Sequence, residues 1–177
     1  MSLRRIGSRD LAYCGLFGAA SLLFPVLFHV LHIGNQFMPM YLPLCALAFL
    51  AKPLPSSVTA FLTPLISGAV TGMPPFYPPV AVCMAIELSA MVYIIAWIAG
   101  RWPKANERLI LIPVLLLGRV IYVALVYGFS LAVHLPANFM AALSIVSGWP
   151  GIILIAVAVP PIARASRRIG KNANNQD

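Results

Sequence analysis

Two side chains stand out because their neighbours are almost entirely apolar. Glu87 lies in the run 78–99 and Arg119 in the run 109–133. A charge about ten residues into such a run sits near the middle of a bilayer, where it costs several kcal/mol unless it is paired or faces a polar cavity. Three arrangements relieve that cost. The two residues can line a polar pocket that binds a polar ligand. They can pair with each other and only hold two helices together. Arg119 can also extend toward the basic face, although roughly 15 Å of helix argues against complete escape. Helical spacing puts Cys83, Met84, Glu87, Ala90 and Met91 on one face, and Tyr122 and Tyr127 broadly on the side of Arg119. Charges flanked by Met and Tyr suit an organic ligand with an aromatic or apolar body. Such stripes equally suit helix packing.

The elements that must position these residues follow from composition. Of 177 residues, 61% are hydrophobic and 9% charged, against about 25% charged in a soluble domain. This excludes an ordinary soluble domain and a disordered chain. The net charge of +8 does not indicate a nucleic-acid binder, because the few charges are set between apolar runs. Six apolar stretches, at about 10–32, 37–51, 55–72, 78–99, 109–133 and 138–163, predict an all-α integral membrane protein with six transmembrane helices. The expected organisation is an N-terminal segment 1–9, a transmembrane domain 10–163 and a basic, disordered tail 164–177. The first stretch is too long for the core of a cleavable signal peptide, and no A-x-A site follows it.

Arg4, Arg5, Arg9, Lys52, Arg101, Lys104, Arg108, Arg164, Arg167, Arg168 and Lys171 all fall on one face of the six-span arrangement. The connections near 33–36, 73–77 and 134–137 hold no basic residue. The positive-inside rule then predicts both termini in the cytoplasm.

The outer connections are not helical in character. Four prolines fall within Pro74–Pro79, which forbids a regular helix and predicts a stiff extended link. Phe76 and Tyr77 within it suit the interface or the mouth of a cavity. The segment 32–41 mixes Gly, amides, Met and an aromatic, and suits either a lid or a short solvated loop. Ser147-Gly-Trp-Pro-Gly151 predicts a break or kink in the last span, of the kind that lines transport cavities. His29, His32 and His134 have no Asp, Glu or Cys nearby in sequence, so interfacial packing is preferred to a metal site. Cys14, Cys45 and Cys83 are spaced as buried apolar residues rather than as ligands. Gly15 and Ala19 form a small-xxx-small pair that lets another helix approach closely.

The sequence contains no G-x-x-x-x-G-K-[ST], H-E-x-x-H or G-x-S-x-G pattern. No enzymatic activity, metal or cofactor is therefore expected. A stand-alone proton-coupled carrier acting through Glu87 is an open alternative, although no internal repeat supports an inverted-repeat transporter.

Taken together, several segments give the chain a family likeness. They are the small-residue-rich first helix, Phe37-Met-Pro-Met-Tyr-Leu-Pro43 with Ala46-Leu-Ala-Phe-Leu50, the Thr71–Pro79 run leading to Glu87, and Gly148-Trp-Pro-Gly-Ile152. Over about residues 8–165 the chain resembles a substrate-binding S component of an energy-coupling factor (ECF) transporter. The resemblance implies a binder of a vitamin or related micronutrient in a bacterial or archaeal cell membrane. It implies partners as well: a transmembrane coupling subunit and two cytosolic ATPases, which would hydrolyse the ATP. It further implies a docking face at Gly15 and Ala19 and a substrate site near the outer face. The site positions are Asn35, Met38, Phe76, Tyr77, Glu87, Arg119, Tyr122, Asn138 and Trp149. Nickel and cobalt members use an N-terminal histidine. This chain begins Met1-Ser-Leu-Arg, so an organic ligand is expected.

Overall fold

The computed structural model describes residues 7–30, 39–77, 79–133 and 149–173. Six helices make up the described residues: α1 (Ser8–Val30), α2 (Tyr41–Leu47), α3 (Pro53–Thr71), α4 (Val80–Arg101), α5 (Glu107–Val133) and α6 (Trp149–Ala173). Four of them, α1, α3, α4 and α5, are long and apolar enough to cross a membrane. At about 1.5 Å per residue, the 19 residues of α3 and the 22 of α4 match a hydrocarbon core of about 30 Å. The apolar part of α6, Pro150–Ala165, is shorter.

The second apolar stretch folds differently from a full-length span. Its described part is a seven-residue helix, α2, which covers only about 10 Å. It ends in tight turns, with Phe49 N–H bonded to Ala46 O and Leu50 N–H to Leu47 O. Lys52 is then extended, at ψ 155°, as the residue before a proline must be. Pro53 opens α3 at a position where its missing N–H is harmless. Rather than lying at an edge, α2 packs against α1, α3, α4 and α6, and all its residues but Leu42 are buried. Leu44, Cys45, Ala46 and Leu47 form the centre of the core, together with Leu88, Val92 and Ile95 of α4 and Leu111 of α5.

α3 carries six hydroxyls through an apolar layer and satisfies each within its own backbone or the adjoining turn, Ser67 donating to Met73 O. Ser56 donates to Lys52 O, Ser57 to Leu54 O, Thr59 to Pro55 O, Thr63 to Thr59 O and Thr71 to Ser67 O, at 2.7–3.0 Å. Such back-bonding removes the cost of an unpaired polar group in a water-free layer. The helix ends at Gly72, whose φ of 73° is a left-handed conformation that glycine adopts without strain.

Among the described residues, two ion pairs tie the basic end of the bundle. Lys52 Nζ lies 3.1 Å from Asp10 of α1. Arg164 of α6 donates through both Nε and Nη2 to Glu107 Oε2 at the start of α5.

Candidate functional site

Glu87 is the organising residue. It sits one-third of the way along α4, 1% exposed. Tyr41, the first residue of α2, donates its hydroxyl to Glu87 Oε2 at 2.5 Å. The ring of the same tyrosine receives the Arg119 guanidinium, with Cζ 5.6 Å from the ring centroid. A cation over an aromatic face is attracted by the ring quadrupole. Tyr41 therefore touches both intramembrane charges, holding one through its hydroxyl and the other through its ring. Glu87 Oε1 is buried and has no hydrogen-bond partner among the described residues.

Gly118 decides how closely α4 and α5 approach here. A Cβ at that position would lie 2.6 Å from Met91 Sδ and 3.3 Å from Glu87 Oε1, closer than packed atoms normally come. The missing side chain thus lets α5 close over the carboxylate. Tyr122, one turn further along α5, lies within electrostatic reach of Glu87 and Tyr41. Cys45 and Cys83, each one turn from Tyr41 or Glu87 on its own helix, also face the carboxylate's field. Among the described residues, no three His, Cys, Asp or Glu side chains gather so as to hold a metal ion.

Of the residues expected at a ligand site, the structure brings Glu87, Arg119 and Tyr122 into one cluster. Phe76 is placed elsewhere, with its ring against Gly68 near the end of α3, where a Cβ would come within 3.0 Å of it. The connection that carries Phe76 is pinned by Ser67 and Thr71 hydroxyls, both donating to Met73 O. Tyr77 is 74% exposed. Trp149 is the first described residue of α6. Asn35, Met38 and Asn138 lie outside the described residues, as do His32 and His134. Gly15 and Ala19 are exposed on α1.

Sequence reasoning did not single out Tyr41 or Gly118. An aromatic inside an apolar run has no period of its own, and Tyr41 reaches its partner across 46 positions. The one available signal for Gly118 was its place beside a charge, where a small residue permits close backbone approach.

The cluster presents a carboxylate with one oxygen oriented and the other able to accept a hydrogen bond, in a layer where water is scarce. Such an oxygen can accept a hydrogen bond from a donor group. No family model matches the chain, and comparison with curated proteins and with solved structures finds no match.

Proposed function

We propose that the chain is the substrate-binding membrane subunit of an importer of the energy-coupling-factor type. In this reading it captures a vitamin or related micronutrient outside the cell. It releases the ligand inside when coupled to a partner transmembrane subunit and two ATPases. The observation that carries the reading is Glu87 Oε1, a buried carboxylate oxygen without a partner among the described residues, in a cluster with a guanidinium stacked on tyrosine. Leaving a buried charged acceptor unsatisfied is costly, and a ligand N–H or O–H offsets that cost. The exposed stripe of Gly15, Leu16, Ala19 and Leu23 on α1 supports a second helix-bearing subunit docking there, because small residues let helices approach closely in lipid. In this reading both termini lie in the cytoplasm, which the distribution of basic residues supports, and six spans cross a bacterial or archaeal cell membrane.

The test is ligand retention. Native mass spectrometry of the purified chain is expected to show one bound small organic molecule. Glu87→Gln is expected to weaken its binding at least about tenfold, the value of one hydrogen bond to a charged group. Uptake in cells should stop when the partner ATPases are deleted. Persistent uptake in their absence would overturn the proposal.

Glu87 as the one acid within the apolar part of the spans favours a second reading, a stand-alone proton-coupled carrier. That reading requires pH-driven flux in liposomes containing this chain alone, abolished by Glu87→Gln.

A further inference from the structure

A crevice of about 750 Å³ opens at the basic end of the bundle, well removed along α4 from Glu87. Its walls are the α2–α3 turn (Ala48–Pro53), the last turns of α4 (Ala96, Ala99 and Gly100), Pro103 and Asp10 of α1. Five of the eleven lining residues are alanine or glycine, so little side chain fills the space between these backbones. The floor is apolar. The one acid in the lining, Asp10, is already held by Lys52 at 3.1 Å.

The rim differs sharply from the floor. Arg9, Arg101 and Lys104 are exposed, and each is the sequence neighbour of a lining residue. Glu107, the nearest further acid in sequence, is engaged by Arg164. The exposed positions next to the lining therefore carry net positive charge. Trp97 and Trp102, both about half exposed, stack edge to face with centroids 6.3 Å apart beside the same turns. Tryptophan pairs of this kind mark the depth of lipid headgroups.

We propose that this crevice binds one anionic phospholipid from the leaflet at the basic end. An acyl chain lies along the alanine and glycine floor, and the phosphate sits among Arg9, Arg101 and Lys104. The basic rim selects this occupant. An apolar helix of another protein would fill the floor but bring no negative charge to those cations, whereas an anionic headgroup meets them at the depth the tryptophans mark. The proposal stands apart from transport, since none of these residues belongs to the Glu87 cluster.

Gly100 provides the decisive variant. It lines the crevice, and a Cβ built on it meets nothing within 4 Å, so Gly100→Leu adds bulk at the crevice wall without a clash. The full-length chain, purified in neutral detergent, is titrated with phosphatidylglycerol or phosphatidylcholine and read by native mass spectrometry. Retention of phosphatidylglycerol is expected at a concentration at least about tenfold lower than that of phosphatidylcholine. Gly100→Leu is expected to reduce phosphatidylglycerol retention about fivefold or more. The pair Arg101→Gln and Lys104→Gln should remove the preference between the two lipids. Equal retention of both lipids by the unaltered chain overturns the proposal. So does unchanged phosphatidylglycerol binding in Gly100→Leu, because the lipid is then held by surface charge without the crevice. Loss of a co-purifying protein from Gly100→Leu, with lipid retention intact, assigns the crevice to a partner helix and also overturns it.

Discussion

At the scale of single residues, Tyr41 decides the state of the intramembrane charges. Its hydroxyl is the donor to Glu87 Oε2, and Oε1 already lacks one. Tyr41→Phe therefore leaves both carboxylate oxygens without a partner among the described residues, while the ring that carries Arg119 is kept. The expected loss is about 1–3 kcal/mol, read as a lower Tm in detergent. Adding Glu87→Gln should restore part of that loss, because a neutral amide costs less to bury than an unsatisfied carboxylate. A Tyr41→Phe variant as stable as the unaltered chain would show that the hydroxyl contributes nothing. The two glutamate readouts also diverge usefully. Glu87→Gln keeps an acceptor for Tyr41, so the folded chain should persist while ligand retention falls.

At the scale of elements, the connection after α3 is a fixed structure rather than a loose link. Ser67 and Thr71 hold Met73 O, and Gly72 turns the chain with φ 73°. Gly68 leaves room for Pro74 O, which would lie 2.7 Å from a Cβ there. Because that neighbour is backbone, it cannot yield as the tip of a side chain would. Gly68→Ala is therefore expected to displace the connection even though alanine favours the helix by up to about 1 kcal/mol. Chymotryptic cleavage after Phe76 should speed up several-fold while cleavage within α3 does not change. Unchanged cleavage would mean that the connection accommodates the methyl group in place. The short α2 shows the same logic in reverse. Its burial comes from four neighbouring helices, not from its own length.

At the scale of the whole molecule, charge and hydropathy set the expected orientation. With Cys14, Cys45 and Cys83 replaced by alanine, Lys104→Cys and Tyr77→Cys are expected to react with a membrane-impermeant thiol reagent from opposite sides. Lys104→Cys should be labelled from the cytoplasm. Labelling of both from one side would overturn the six-span topology. Apolar runs of membrane-spanning length, the break between α3 and α4, and the isolation of Glu87 and Arg119 were all legible in the sequence. Helix formation and hydropathy depend on residues within a few positions of one another, so a linear reading captures them. It captured α1, α3, α4 and α5. It could not show that the second apolar stretch contains a seven-residue helix enclosed by four others. Nor could it show that Tyr41 stands between the charges, that Gly118 admits α5 against the carboxylate, or that Phe76 rests on Gly68. Each of these is a contact between distant segments, set by connection length and by how closely small residues let backbones approach. Sequence alone placed the charges in the apolar layer; only the tertiary packing decided which atoms meet them and which oxygen is left open.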